Sequence, residues 1–497
     1  MAHHHEPVLK EGDKRRLGAG ARSFGLTAMV VGVVALAAAL GAAKMLPNGG
    51  GFERFGFAYV TNYAYFLSIT LGGLFLVLVT HLFRAGWVVA VRRIAEVIAA
   101  NTPVMAVLFV PVLLYVFMGN GMIYPWANAK YDDPSFGGHH GALEAPTHPA
   151  AQIITVANEE GHAGGGADAH ADEVAKPYAE TEHAQNAEHA GLVSERAHHH
   201  AELTDALVPG KRPYLTKGFF TLRWVIYLLI WAGLGLYYLK TSVKQEDSGE
   251  KAKLTRKMEV LAAPGTFLFA LSITFAAFDL VMSLDPVWFS TMWGVYYFAG
   301  SALGAIATMI LALMTLQRFG YLPSVNVEHY HDLGKLLFTF VFFWGYIAFS
   351  QFMLIWYANL PETNYWFELR GITTSGGNPF ISGWTWVALA LLFGHLLIPF
   401  LGLLSRWIKR SRKLLAFWAV WLLVMHWVDH WWVVMPNYIY TPAQSIPGPL
   451  FPSVELLCLI GVGGIAIGGA VLRATGQGLI AAGDPRLGDS LGHENMY

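Results

Sequence analysis

The sequence predicts an all-α integral membrane protein that crosses a bilayer about ten times. Three observations carry this. Of 497 residues, 55% are hydrophobic and only 13% are charged, where soluble domains carry about 25% charged residues. The mean hydropathy is +0.42. Ten apolar stretches also reach the roughly 20 residues a helix needs to cross a hydrocarbon core of about 30 Å.

Taken in order, those stretches are 23–46, 60–83, 104–123, 218–240, 262–283, 292–316, 334–357, 382–404, 413–434 and 454–473. Residues 1–22 form a polar, basic N-terminus and 474–497 a polar tail. The first stretch is too long for a secretory signal and carries Lys44 near its end, so it reads as a retained anchor.

Basic residues assign the sides. Lys14, Arg15, Arg16 and Arg22 precede the first span, and Arg84, Arg92 and Arg93 follow the second. Lys244, Lys251, Lys253, Arg256 and Lys257 follow the fourth, Arg318 and Lys335 the sixth, and Arg406, Lys409, Arg410, Arg412 and Lys413 the eighth. The alternate short loops are nearly bare, with Arg54 and Arg370 their only basic residues, and the long insert at 124–217 is not counted because long loops translocate regardless of charge. Both termini are therefore expected on the cytoplasmic side. Trp288, Trp293, Tyr296, Tyr297, Trp431, Trp432 and Tyr438 are expected at the outer membrane interface.

Residues 124–217 form an outer insert rich in Ala, Gly, Glu and His. Its composition offers little apolar surface to offset ordering entropy, so disorder or folding on a partner is expected. Ten of the 20 histidines fall here: His139, His140, His148, His162, His170, His183, His189, His198, His199 and His200. They repeat at no spacing that would define a metal site, so a flexible, partner-facing loop is the expectation.

The single cysteine, Cys458, excludes internal disulfides, cysteine-held iron–sulfur clusters and four-cysteine zinc sites. No C-x-x-C-H attachment sequence for a c-type haem occurs. No metal or cofactor ligands and no catalytic residues are assigned to this chain, and its balanced charge gives no sign of a nucleic-acid partner.

Ionisable side chains inside spans are costly and mark function by default. Asp279 lies in the outer half of the fifth span, His395 in the eighth, and Glu455 opens the tenth. His426, Asp429 and His430 stand at i, i+3 and i+4 and share one face of the ninth. Three readings compete for this layer. The groups relay protons, or they are interhelical hydrogen-bonding contacts, or His395 and His426 are axial ligands of a b-type haem. Haem ranks last, because only one histidine pair is available. The inner halves of the spans read as almost free of ionisable groups. His81 and Arg84 are expected to snorkel to the inner surface, Glu328, His329, His331 and Asp332 to lie in a solvated loop, and Ser350, Gln351 and Asn359 to make packing contacts.

Four stretches carry a resemblance. Residues 272–300, SITFAAFDLVMSLDPVWFSTMWGVYYFAG, resemble the most characteristic segment of the ActF family, NrfD-like membrane subunits of bacterial alternative complex III. The run 331–361, HDLGKLLFTFVFFWGYIAFSQFMLIWYANLP, the tail DPRLGDSLGHENMY and the stretch YAYFLSITLGGLFLVLVTHLF at 63–83 are similar to the same subunit, in the same order. The resemblance implies two four-helix bundles, spans two to five and six to nine, with the first and tenth outside them. It implies a place in a menaquinol:cytochrome c oxidoreductase of the bacterial inner membrane. Its partners there would be a quinol-site paralogue, ActC, an iron–sulfur subunit, multihaem cytochrome c subunits and, in some assemblies, a terminal cytochrome c oxidase. The c-type haems and iron–sulfur clusters would sit on those partners, and menaquinol would be the substrate of the complex. Asp279 falls in the family's most recognisable span. Asp285 follows it, before Pro286, where the family often has Glu.

Three functions are weighed on this basis. The preferred one is a non-catalytic subunit that scaffolds the complex and offers a proton path through Asp279, Asp285, His395, His426, Asp429, His430 and Glu455. The second is a quinol-oxidising site in this chain itself. The third, a secondary transporter, calls for broken spans in matching halves, and Pro103, Pro111 and Pro399 form no matching pair.

Overall fold

The computed structural model describes residues 9–45, 51–132, 204–372, 383–440 and 451–494. Among them, ten helices are long and apolar enough to cross a membrane, and there is no strand, only two isolated bridges. We number them α1 (Ala19–Lys44), α2 (Gly51–Leu82), α3 (Val89–Met118), α4 (Lys217–Glu246), α5 (Lys251–Leu284), α6 (Trp293–Arg318), α7 (Val327–Ala358), α8 (Gly383–Leu404), α9 (Arg412–Tyr438) and α10 (Ser453–Ala474). The chain is thus an all-α, multi-pass membrane protein.

Helices α2 to α5 pack on one another, as do α6 to α9, and the two groups meet where α2 lies along α6. That seam is tight. A Cβ on Gly72 would stand 1.9 Å from the carbonyl oxygen of Ser301. Helices α1 and α10 pair with each other and lean on α2. Backbones approach there because Gly32 and Gly464 have no side chain, and a Cβ on either would meet the facing helix's carbonyl at 2.6 Å.

Two spans are interrupted. Helix α3 bends after Ala99 and after Leu108, with Pro103 and Pro111 opening the following segments, where a missing N–H costs least. Helix α8 contains a π-turn, Leu392–Leu397, just before Pro399. One extra residue per turn there re-aims the side chains, a device often found at functional sites.

Several helices begin earlier than hydropathy suggests. Arg92 and Arg93 are not in a loop after the second span but inside α3, fully buried. They are buried because they are paired. Arg92 meets Glu96 at 3.0 Å and Asp484 at 2.9 Å, and Arg93 meets Glu96 at 3.0 Å and Glu246 at 2.8 Å. Arg486 bridges Asp484 and Glu259. The ends of the spans beside the two termini, expected to be almost free of ionisable groups, are therefore rich in them, but those groups neutralise one another.

His81 does not snorkel. It is buried and its Nδ1 lies 2.8 Å from the Val77 carbonyl. Arg84 is exposed and pairs with Glu259. Glu328, His329, His331 and Asp332 are not in a solvated loop either. They form the first turn and a half of α7, capped by Asn326, whose side-chain oxygen accepts from the Glu328 and His329 amides. The tail residues 475–494 close over this end. Ser490 Oγ donates to the Trp87 carbonyl, and His493 Nε2 meets Asp332 at 2.5 Å.

At the opposite end, the expected interfacial aromatics are mostly packed inside. Trp288, Trp293, Tyr296, Tyr297, Trp431, Trp432 and Tyr438 are all buried. Arg370 lies over the Trp366 ring at 3.5 Å and donates to the Val433 carbonyl. The edges of the insert also join the core, through Tyr124, Trp126, Tyr131, Val208 and Leu215. The insert's ten histidines lie outside the described residues. Gln351 is buried and accepts from Ser290 Oγ, while Asn359 ends α7 in the left-handed conformation at φ 49°.

Candidate functional site

The sequence places His426, Asp429 and His430 on one face of α9, and the fold turns that face into the junction of α2, α6, α7 and α8. All three are buried, and a ligand-type atom from each lies within 4.8 Å of the others.

His426 lies flat over a groove in α6. A Cβ on Gly300 would stand 2.7 Å from its Cε1 and 3.1 Å from its Nδ1, and one on Gly304 would be 3.0 Å from Cδ2. On the other side, His426 Nε2 lies 2.9 Å from Ser68 Oγ, while that hydroxyl donates to the Tyr65 carbonyl at 2.7 Å. With its own proton committed, Ser68 accepts from Nε2–H. Nδ1 of His426 is thereby left as a bare lone pair, and among the described residues it has no partner.

His430 reaches the same state by another route. Its Nδ1 lies 2.9 Å from the His426 carbonyl, which only accepts, so Nδ1 carries the proton. Nε2 is then the bare nitrogen, and it too has no partner among the described residues. The two rings are edge to face at 4.5 Å between centroids.

Asp429 is held at both oxygens. Tyr296 donates its hydroxyl to Oδ1 in a short hydrogen bond, and Trp344 Nε1 donates to Oδ2 at 3.3 Å. His395, carried on the π-turn of α8, stacks on Trp344 with centroids 3.9 Å apart. Its ring is 6.3 Å from that of His426, and neither of its nitrogens has a partner among the described residues. Beside these groups lies a cavity of about 20 Å³, lined by Val281, Trp293, Tyr296, Tyr297, Gly300, His426, Asp429, His430 and Val433.

The remaining expected residues go elsewhere. Asp279 is gripped by Arg223, with Nε to Oδ2 at 2.9 Å and Nη2 to Oδ1 at 2.7 Å, and it accepts from Tyr227. Glu455 is bound by Arg54 through two contacts of 3.1 Å, and its backbone carbonyl accepts from Asn62. Asp285 caps the turn after α5, accepting from the Val287 and Trp288 amides. The structure thus brings together His395, His426, Asp429 and His430, and sends Asp279, Asp285 and Glu455 to three separate places.

Sequence reasoning missed Ser68, Tyr296, Trp344 and Gly300 as parts of the site, and Arg223 as the partner of Asp279. Arg223 had a signal: a lone arginine inside a span, one helix away from a lone aspartate. Gly300 and Gly304 had another, two glycines at i and i+4. Tyr296 had none beyond its position near a span end.

The geometry bears on two cofactor readings. Pockets that hold drug-sized ligands measure about 300–1,000 Å³. The 20 Å³ beside His426 leaves no slot for a porphyrin on His395 and His426, and no room for a quinone ring. What it suits is a water-sized guest, which needs about 10–15 Å³ and polar partners. No family model matches the chain, and no curated protein matches its sequence.

Proposed function

We propose that this chain is a cofactor-free membrane subunit of a respiratory quinol:cytochrome c oxidoreductase of the alternative complex III type, and that it scaffolds the complex and carries protons. Its location on this reading is the bacterial inner membrane, with both termini cytoplasmic. Its partners are the quinol-site paralogue, the iron–sulfur subunit and the multihaem cytochrome c subunits, and menaquinol is oxidised next door. The resemblance of residues 63–83, 272–300, 331–361 and 484–497 to the ActF family supports the assembly. The observation that carries the proton role is the buried junction of His395, His426, Asp429 and His430, where two imidazoles present bare nitrogens to a water-sized cavity.

Adjacent imidazole and carboxylate groups exchange protons near neutral pH, and a span keeps them only where they are used or fully satisfied. Asp279 and Glu455 are satisfied by arginine, as structural contacts are. The two bare nitrogens are not. The alternative, a quinol-oxidising site in this chain, needs a ring-sized pocket against a proton acceptor, and the cavity beside His426 is too small. The transporter alternative needs breaks in corresponding helices. Here the breaks fall in α3 and α8, the second helix of one group and the third of the other.

The test is purification of the tagged full chain from its native membranes in mild detergent. Co-purifying c-type haem bands and menaquinol:cytochrome c activity are expected. A colourless, inactive chain that stays alone under gentle conditions would sink the respiratory assignment.

A further inference from the structure

The three-sided arrangement of His426, Asp429 and His430 has the dimensions of a hydrogen-bonding shell. We propose that the cavity is a built site for a single water, which donates to His426 Nδ1 and His430 Nε2 and which, when it carries an excess proton, has a third hydrogen to direct at the Asp429 carboxylate. The proposal deepens the proton-carrying reading, and its consequence for transport rests on that reading.

Four observations carry it. First, the tautomers are fixed from outside: Ser68 takes the Nε2 proton of His426, and the His426 carbonyl takes the Nδ1 proton of His430. Both remaining nitrogens are acceptors without partners among the described residues. A buried acceptor left unsatisfied is destabilising, and a molecule with two protons to give relieves both.

Second, the spacing admits an oxygen. Acceptors arranged tetrahedrally around an oxygen at hydrogen-bond distances of about 2.8 Å stand about 4.6 Å apart, and one nitrogen or oxygen from each of the three residues lies within 4.8 Å of the others.

Third, the charge is better suited to at most one proton than to a metal ion. Asp429 is the one carboxylate lining the cavity, with Trp293, Tyr296 and Tyr297 from α6 and His426 and His430 from α9 as the other polar groups. Behind them stand Ser68 of α2, Trp344 of α7, His395 of α8 and the Arg370 guanidinium, whose charge acts on Tyr296. A divalent ion beside one carboxylate and that arginine would leave a net positive charge at membrane depth, which is expensive.

Fourth, glycine sets where the His426 ring lies. A Cβ on Gly300 would stand 2.7 Å from Cε1 and 3.1 Å from Nδ1, so a side chain there displaces the ring and its bare nitrogen with it.

The proton step balances simply. A proton entering the water makes it hydronium, which gives one proton to His426 Nδ1 and returns to water. The resulting imidazolium carries both ring protons, and the carboxylate of Asp429 is its counter-ion. The reverse transfer remakes the hydronium, and passage of its proton to His430 Nε2 moves the charge to that imidazole; the start is restored only when the excess proton leaves the site.

The experiment uses the full chain, labelled with ¹⁵N-histidine and held in lipid bilayers, read by solid-state NMR with magnetisation transferred from water. Difference spectra with His426→Gln and His430→Gln assign the two rings. Water-edited signal is expected at the bare nitrogen of each ring, with loss of the His426 signal in Gly300→Ala, where the added Cβ displaces that ring. Absence of transfer from water in the wild type would overturn the proposal, and that spectrum decides even if Gly300→Ala fails to accumulate. So would a water-edited His426 signal that persists in Gly300→Ala, or a stoichiometric divalent ion found by elemental analysis whose removal shifts both rings. No turnover is involved, so a water at the site together with unchanged proton release in His426→Gln would sink the transport reading and leave the site standing.

Discussion

Arg223 holds both carboxylate oxygens of Asp279, at 2.9 and 2.7 Å, from the neighbouring helix. The pair is buried, and the Tyr214 ring lies 3.7 Å from the guanidinium carbon. Removing one member of such a pair leaves an uncompensated charge and costs about 3–5 kcal/mol. Asp279→Asn is therefore expected to lower the thermal midpoint of the detergent-purified chain. Arg223→Met combined with Asp279→Leu is expected to recover much of the loss. A single variant that assembles with unchanged stability would show that the pair contributes nothing to the fold.

His426→Gln preserves volume and a hydrogen bond to Ser68 but removes the proton-accepting nitrogen. It is expected to leave assembly and quinol oxidation intact and to slow proton release in vesicles by about 100-fold, the scale of losing a positioned proton carrier. His430→Gln should do the same. Unchanged proton release in both variants would reduce the junction to interhelical contact.

Tail docking is expected to be acid-sensitive. Burial alone would raise the pKa of Asp484, but the Arg92 and Arg486 guanidiniums outweigh it and hold the carboxyl at about 2. The ordinary value is about 3.9. A depressed folded-state pKa means the stabilisation is complete above about pH 4 and disappears as pH falls through 2, a contribution on the order of 2 kcal/mol. Hydrogen exchange of residues 475–494 should show the tail opening between pH 4 and 2. Asp484→Asn should show it already open at neutral pH.

The α2–α6 seam gives the sharpest steric test. Gly72→Val would drive its Cβ into the Ser301 carbonyl, and nothing flexible stands in the way to yield. Overpacking of this kind costs about 1–3 kcal/mol or more. The expected result is loss of the folded chain in membrane extracts, while substitution at Gly233, which has open space around it, is tolerated.

Hydropathy was enough to find every span, because burial in lipid and burial in protein both demand apolar residues. It misplaced the starts of α2, α3, α5 and α7. Arg92, Arg93 and Glu96 look like loop residues to any sliding average, and their burial depends on carboxylates far along the chain, Glu246 for Arg93 and Asp484, 392 positions away, for Arg92. Trp288 and Tyr296 misled for a related reason: an aromatic near a span end can face lipid headgroups or a neighbouring helix, and sequence alone does not say which. For the site, the helical spacing of His426, Asp429 and His430 was legible, and so was the nearness of His395. The separation of Asp279 and Glu455 from that group was not. It depends on which helices touch, and both acids find arginines, Arg223 and Arg54, that periodicity does not connect to them.

The long reach from Arg92 to Asp484 also orders events during biosynthesis. Arg92 and Arg93 enter the membrane with the third helix, long before the ribosome has made their last counter-charge. Until residue 484 emerges, Arg92 has among its carboxylate partners only Glu96, which it shares with Arg93, while Arg93 gains Glu246 earlier. Closure of this cluster therefore waits for Asp484, long after the helix that carries Arg92 has been made.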